Sequence, residues 1–318
     1  MEAPLNQMLT DFYVKPTSDI FIKYLFGKEE HKPILIDFIN AVMKNSGFPL
    51  ITDLVIKNPF NIQTILNAKE TILDIKAKSS DGRWIDIEMQ NSDKGFFGER
   101  ALYYWTALYG DQLVAGENYA TLRPVVCINI LDFKMFKNVD RYHLCFMLRE
   151  KDTPELLLTD HLSLHFLELP KITAYNLDKS LDNWLYYLKN EGLNKEDGIM
   201  ENILKNNPQI ANAREKYLSF TQDEHMREAY DSHIKWKRDH DSALFFAEQK
   251  GLETGTVKGR HEGRHEEKFQ TIMRLQKYRM QPEEIADITS LTPEKVRAVI
   301  AAGDKGLDLL MEEDATRH

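Results

Sequence analysis

Acidic residues recur on one face of a predicted β-hairpin in the segment 69–91, KETILDIKAKSSDGRWIDIEMQN. Asp74 would lie on the first strand and Asp86 and Glu88 on the second, because alternate residues of a strand face the same side. Directly opposite residues of paired strands have β-carbons roughly 4.5–5.5 Å apart. Two carboxylates that close repel each other, and a divalent cation between them would remove the repulsion. The hairpin therefore predicts a metal site built from Asp74 and Glu88.

Hydrolysis of a phosphodiester bond is the chemistry that such a site favours. Mg²⁺ uses only a few carboxylates and keeps several of its waters, and Mn²⁺ is the alternative ion. A metal-bound water has a lowered pKa and can attack phosphorus, while the ion stabilises charge on the phosphate oxygens. The backbone carbonyl of Met89 is a further candidate ligand. The alternative interpretation is a solvated sheet face that carries alternating charges.

The length of the turn decides which residues face each other across the hairpin. A two-residue turn of Asp81 and Gly82 would pair Asp74 with Met89 and would put a carboxylate and an apolar side chain on one face. A loop with an odd number of residues, centred on Asp81, pairs Asp74 with Glu88 and keeps both faces consistent. We therefore predict a three- or five-residue loop in which Gly82 has a left-handed conformation.

Helices and strands on either side of the hairpin are predicted to hold it in place. Residues 17–45 show the apolar spacing of two helices, the first of them capped by Thr17 or Ser18. The chain is predicted to be helical again from about residue 171 onward. The remaining predictions are a strand at 51–57, an aromatic-rich helix at 96–115, a buried central strand at 123–132, and outer strands at 141–149 and 161–168.

Composition limits the classes of protein that this chain can belong to. The 318 residues contain no run of about 18 apolar residues, so no membrane span is predicted. The first 30 residues lack the basic-then-apolar order of a secretion signal. Two cysteines, Cys127 and Cys145, are too few for a disulfide scaffold or a zinc ribbon, and this favours a reducing, cytoplasmic location. The formal charge of −9 is unfavourable for a protein that coats nucleic acid nonspecifically.

The order of these segments resembles the PD-(D/E)XK nuclease superfamily, and more closely its recombination-promoting nuclease group, also called PD-(D/E)XK family transposases. The resemblance rests on DIFIKYLFG (Asp19 to Gly27), on the hairpin from Ile72 to Gln90, and on the arginine-tyrosine helix and strand from Phe96 to Phe133. It implies a metal-dependent DNA endonuclease linked to recombination or mobile elements. The implied fold is α/β, with a mixed four-stranded central sheet flanked by helices and a helical C-terminal extension. We predict a nuclease domain at 1–170, a helical region at 171–248 and a tail at 249–318.

The resemblance also implies roles for single residues of the hairpin. Asp74 and Glu88 correspond to metal ligands, and Gln90 stands where the wider superfamily has a lysine. A glutamine cannot stabilise a hydroxide as an ammonium group would. Our hypothesis is that Lys76 supplies the missing positive charge, and the alternative is that Lys76 only pairs with Asp86. The predicted catalytic set is thus Asp74, Lys76, Glu88 and Gln90.

Contacts with DNA are predicted for Arg100, Tyr103 and Lys23. The planar guanidinium of Arg100 suits a phosphate, although a structural salt bridge to Glu99 or Asp93 is the alternative. Tyr103 could stack on a base or could be an ordinary rim aromatic. Lys23 is a candidate because helices of this fold often lend the site a polar group, and a local surface role is the alternative.

The tail carries a second set of motifs. Four glycines with a four-residue period predict either a helix that packs closely in a homodimer or a semi-flexible linker. The HExxH pattern at 261–265 arises from a tandem GRHE repeat, so we reject a zinc protease. The stretch 280–300 resembles half of a helix-turn-helix, and we expect a small accessory module there. The glycines are Gly251, Gly255, Gly259 and Gly263.

Two functional classes remain open from the sequence. Intact Asp74, Glu88 and Gln90 favour the enzyme. The absent lysine and the negative net charge favour a catalytically weak family member that acts as a DNA- or protein-binding module. A transcription regulator working through residues 280–300 would leave most of the chain unexplained.

Overall fold

Segments of alternating and of continuous apolar residues assemble into one mixed sheet. The structure is a computed structural model that describes residues 12–62, 74–93, 95–193 and 198–315. In this described part the sheet has six strands in the order β1-β2-β3-β4-β6-β5. Strands β3, β4 and β6 run parallel to one another, and the other neighbours are antiparallel. The strands are β1 (Leu54–Ile56), β2 (Ile75–Ser79), β3 (Trp84–Gln90), β4 (Val125–Leu131), β5 (His143–Arg149) and β6 (Leu157–Glu168).

The predicted strand number was wrong, and so was one strand position. The resemblance implied four central strands, whereas the sheet in the described residues has six, because short β1 extends one edge and β5 extends the other. Residues 161–168 were predicted as an outer strand, yet β6 lies between β4 and β5. Its polar residues Ser163, His165 and Glu168 are all buried, because strands pair with β6 on both sides.

The hairpin has the predicted register. Ile75 pairs with Ile87 and Lys76 with Asp86, so continuing the same register places Asp74 beside Glu88. The amide of Ser79 donates to the carbonyl of Arg83 at 2.9 Å, which leaves a three-residue loop of residues 80–82. Gly82 has a φ of 93°, a backbone conformation that a side chain rarely permits. Local alternation and turn chemistry are therefore sufficient to fix this part of the sheet.

Helices cover both faces of the sheet. The side chain of Ser18 caps α1 by accepting a hydrogen bond from the amide of Phe21, and Pro33 lies in the first turn of α2, as the sequence indicates. The predicted central strand β4 is buried along its whole length. The helices of this unit are α1 (Asp19–Gly27), α2 (Lys32–Asn45), α3 (Phe97–Gly110), α4 (Ser180–Asn190), α5 (Ile199–Asn206) and α6 (Pro208–Gln222).

Two apolar clusters lie on opposite faces of the sheet. On one face, Ile75 and Ile87 belong to a large core formed with α1, α2 and the helices from α4 to α6. On the other face, Val125 and Cys127 pack against Phe97 of α3. The polar residues of the hairpin share this second face, because Asp86 pairs with Cys127 in the parallel register of β3 and β4. The acidic face of the hairpin therefore lies on the side of the sheet that carries α3.

The chain divides into two compact units, Met1–Trp236 and Lys237–His318. Residues 181–230 contribute to the core of the first unit, and the division into 1–170, 171–248 and 249–318 stays a prediction. Helix α7 (Glu224–Lys277) has residues in both units. The helices of the second unit after α7 are α8 (Pro282–Thr289), α9 (Pro293–Ala302) and α10 (Gly306–Ala315).

The second unit contains the predicted helical module and the glycine-periodic segment. Pro282 and Pro293 begin α8 and α9, and the side chain of Thr292 caps α9. Ile272 of α7 packs with α8, α9 and α10 in a small core. The four periodic glycines lie within α7, and apart from the adjoining backbone of this helix no atom of the described chain comes within 4 Å of a Cβ built on them. The homodimer through this segment stays a prediction. None of the described helices is both long and apolar enough to cross a membrane.

Candidate metal and nucleic-acid site

Three carboxylates gather where β2 and β3 run side by side. Asp74 immediately precedes β2, and Asp86 and Glu88 alternate along β3. The side chain of Asp74 is 8% exposed, and Asp86 is 3% exposed. Among the described residues, Oδ1 of Asp86 is buried with no hydrogen-bond partner. A buried acceptor without a partner is energetically unfavourable, so this atom indicates that the cluster is incomplete as it stands.

Burial and mutual repulsion change how the carboxylates titrate. Burial, together with the charges of Glu88 and Asp74, raises the pKa of Asp86 to about 8. Burial also raises the pKa of Glu88 to about 7, with Asp74 adding to the shift while Arg100 opposes it. The cluster thus holds more negative charge than its own lysine and arginine neighbours can balance.

Asp74 is held by residues from three segments of the chain. The amide of Asn58 donates to Oδ1 of Asp74 at 3.1 Å, and Nζ of Lys76 lies 3.3 Å from its Oδ2. Nζ of Lys23 donates to the main-chain carbonyls of Asp74 at 2.5 Å and Asn58 at 2.6 Å. Lys76 therefore makes its ion pair with Asp74, whereas Asp86 is its neighbour in the strand register.

Lys23 occupies a buried position beside the site. It is 5% exposed, and burial lowers the pKa of its ammonium group to about 8, although the nearby Asp74 opposes this shift. The hydrogen bond to the carbonyl of Asp74 connects α1 to the residue that immediately precedes β2. Asn58 was not predicted as a site residue: Asn58-Pro59 indicated only a strand break. The amide of Asn58 in fact joins Asp74 to the amide nitrogen of Lys76.

Gln90 links the carboxylates to α3. Its Nε2 donates to Glu88 at 3.1 Å, and its Oε1 accepts from Nη2 of Arg100 at 2.8 Å. The guanidinium of Arg100 also makes a cation–π contact, with its Cζ 4.8 Å from the centre of the Phe97 ring. The hydrogen bond of Arg100 is therefore made with Gln90, in place of the salt bridge to Glu99 or Asp93 that was the alternative. Glutamine at this position orients two charged groups of opposite sign.

The remaining predicted site residues are Tyr103 and Met89. Tyr103 is 67% exposed, whereas Tyr104 is half-buried, and both burial and the charge of Glu88 raise the pKa of Tyr104. Tyr104 was not in the predicted set, although its position one residue after Tyr103 on the same helix could have suggested it. The side chain of Met89 packs into the core on the opposite face, so only its backbone is available to the site.

The donor set fits a hard divalent cation. Asp74, Asp86 and Glu88 offer only oxygen atoms, and magnesium prefers oxygen ligands and few carboxylates. In the described part of the chain, no three histidine, cysteine or acidic side chains form a ready-made metal cage. A cation here would be held by two carboxylates, with a carbonyl or water completing its ligands. The unpartnered Oδ1 of Asp86 is the observation that favours a missing positive group.

A comparison with families of known proteins agrees with this geometry. The family model described as PD-(D/E)XK nuclease family transposase matches residues 16–247. The chain belongs to this family. No curated protein and no solved structure matches the chain in the corresponding comparisons.

Membership of the PD-(D/E)XK nuclease family transposases supports a nuclease-type function at the level of the family. Nucleases of the PD-(D/E)XK type generally use divalent metal ions. The match includes every strand of the described sheet and ends at residue 247, before the glycine-periodic segment. The family assignment therefore concerns the unit that carries the carboxylates, and the tail requires its own explanation.

Proposed function

We propose that this protein is a metal-dependent DNA endonuclease that hydrolyses phosphodiester bonds during recombination or the movement of mobile elements. The observation that carries the proposal is the buried, unpartnered Oδ1 of Asp86 in a cluster with Asp74 and Glu88, which the register of β2 and β3 brings to one face. The family match supports the same class of reaction.

The proposed roles follow from which atoms each residue can offer. Asp74, Glu88 and the carbonyl of Met89 would hold Mg²⁺, or Mn²⁺, which when bound lowers the pKa of water and stabilises charge on the phosphate. Burial alone would lower the pKa of the Lys76 ammonium, but the carboxylates, with Asp74 foremost, raise it. Lys76 therefore stays charged at neutral pH and would supply the positive charge that Gln90 cannot.

Contacts with the DNA strand are proposed for Arg100 and Tyr103, which follow the hairpin on α3. The hydrogen bond to Gln90 uses one Arg100 nitrogen and orients the planar group, a geometry suited to phosphate oxygens. Lys23 was predicted to contact DNA as well. Its two carbonyl hydrogen bonds favour a positioning role for Lys23, because a phosphate contact would require these bonds to break.

One observation favours a second candidate function, a catalytically weak member that binds DNA or protein. Gln90 replaces the superfamily lysine, and its amide is already engaged with Glu88 and Arg100. If Lys76 does not compensate, hydrolysis would be slow while binding persists.

A plasmid nicking assay with Mg²⁺ separates these proposals. We expect the purified wild-type protein to nick the plasmid, and Asp74→Asn and Glu88→Gln to fall to background. Asp160→Asn, an equal charge change at an exposed position of β6, is the matched control and should nick like wild type. Nicking by Asp74→Asn at the wild-type rate would place the activity elsewhere. Binding without any nicking by wild type would favour the second candidate.

A further inference from the structure

Phe96 is both strained and exposed at the start of α3. Its φ of 54° and ψ of 25° are left-handed, a conformation that bulky residues rarely adopt. The side chain is 84% exposed, whereas the next residue, Phe97, is 3% exposed in the core. Strain and exposure both disfavour phenylalanine here, and glycine would avoid both. Bulky residues that keep such a conformation are concentrated at functional sites.

Phe96 begins a row of side chains along α3. The amide of Arg100 donates to the carbonyl of Phe96 at 3.1 Å, so the two residues are one helical turn apart. Tyr103 follows almost one further turn along the helix, and it is 67% exposed. We call Phe96, Arg100 and Tyr103 the α3 platform. Its central member is hydrogen-bonded to Gln90 of the candidate site.

The loop that follows β4 lies against the first turn of α3 and carries two lysines. Met135 of this loop lies against the first turn of α3, with its Cε 3.2 Å from a Cβ built on Gly98. Lys134 and Lys137 of the same loop are exposed. Aromatic rings interleaved with cations are typical of surfaces that bind single-stranded nucleic acid, where bases stack on rings and phosphates contact the cations. Bases within a duplex stack on each other and do not offer their faces to such rings.

We propose that the α3 platform stacks an unpaired base of the DNA strand beside the phosphate that is cut. The substrate is therefore DNA with unpaired nucleotides next to the cleavage point, such as an overhang, a flap or a junction. This inference rests on the proposed function, because it identifies the substrate of the same site. Phe96 and Tyr103 supply the stacking surfaces, and Arg100 connects them to Gln90 and Glu88.

Binding measured without metal tests the platform independently of cleavage. In EDTA, fluorescence anisotropy compares a blunt duplex with the same duplex carrying a short single-stranded overhang that contains 2-aminopurine. We expect wild type to prefer the overhang probe and to quench its 2-aminopurine. Phe96→Ala should weaken binding of that probe about tenfold, as expected for loss of one stacking contact, and should leave the blunt duplex unaffected. Phe96→Trp should retain the preference. Tyr119→Ala, an aromatic that is 80% exposed but lies outside α3, is the matched control.

A second substitution separates stacking from folding. Phe96→Gly relieves the left-handed strain, so we expect a higher melting temperature together with weaker binding of the overhang probe. Wild-type affinity of Phe96→Gly for this probe, or equal weakening on both probes, would overturn the inference. So would equal affinity of wild type for the two probes. If wild type prefers the overhang probe but does not nick, the endonuclease proposal is refuted and the stacking proposal is supported. If wild type nicks but shows no preference, the stacking proposal is refuted and the endonuclease proposal is supported.

Discussion

Replacing Asp86 with asparagine should make the stability of the protein less dependent on pH. Asp86 is 3% exposed, and burial followed by the charges of Glu88 and Asp74 raises its pKa to about 8. The folded protein therefore binds a proton at neutral pH that the unfolded chain releases. Asparagine has nearly the same shape and cannot ionise, so the substitution removes this proton linkage with little change in packing.

The size of the effect follows from proton linkage. A raised carboxyl pKa stabilises the folded state most at low pH, and this stabilisation is lost as the pH rises through the folded pKa. Each pKa unit corresponds to about 1.4 kcal/mol, so raising the pH from about 6 to about 8 should remove about 2 kcal/mol through Asp86. Glu88, whose pKa is raised to about 7, acts in the same direction. Its share over that interval is about 1 kcal/mol.

Urea denaturation followed by circular dichroism measures this difference. In EDTA, the free energy of unfolding of wild type should fall by about 3 kcal/mol between about pH 6 and about pH 8, and that of Asp86→Asn by about 1 kcal/mol. Asp160→Asn controls for the loss of one exposed carboxylate and should behave like wild type. Added Mg²⁺ should restore stability to wild type at the higher pH, because a cation favours the ionised carboxylates.

Equal pH dependence of wild type and Asp86→Asn would refute the reasoning. It would mean that Asp86 is solvated or neutralised in the folded protein, so its unpartnered oxygen would no longer favour a missing cation. Restoration by Mg²⁺ in Asp86→Asn to the same extent as in wild type would show that Asp74 and Glu88 respond to the ion without Asp86.

Three further substitutions test separate parts of the structure. Lys76→Met should abolish most nicking if Lys76 replaces the superfamily lysine, and nicking close to wild type in the plasmid assay would contradict that role. His165 is buried and His143 is half-buried, and burial lowers their pKa values to about 3 and about 4. Two neutral histidines therefore stabilise the folded protein at neutral pH, and this stability should be lost as the pH falls below 6.5, the ordinary pKa of histidine. In urea denaturation at acidic pH, His165→Gln should lose less stability than wild type. Gly82→Ala should lower the free energy of unfolding by about 1 kcal/mol in thermal melts, because a Cβ is strained at a φ of 93°, and unchanged stability would reject that turn geometry.

Features that depend on neighbouring residues could be predicted from the sequence. The alternation around Asp81 and Gly82 decided the register, because a shift by one residue would have exchanged the two faces of the hairpin. The Ser18 cap and the continuous apolar run of β4 are equally local signals. For this reason the sheet face that carries Asp74 and Glu88 can be predicted from the sequence alone.

Features that depend on distant contacts could not be predicted in the same way. Asn58 lies 16 residues before Asp74 in sequence, yet its amide bonds both the main chain and the carboxylate of Asp74. The position of β6 depends on its pairing with β4, which the polar residues of β6 concealed. The left-handed conformation of Phe96 is likewise not indicated by the Phe96-Phe97 dipeptide, in which Phe96 is exposed and Phe97 is buried.

Gln90 has a physical role in the charge balance of the site, even though it carries no charge itself. A lysine at this position would add a further cation to a site that already holds Lys23, Lys76 and Arg100. Glutamine instead accepts from Arg100 and donates to Glu88, so it connects a positive and a negative group without adding charge. The positive charges then reach the carboxylates from three elements, from β2 through Lys76, from α3 through Arg100 and from α1 through Lys23. With glutamine at position 90, these three residues supply the positive charge beside the carboxylates.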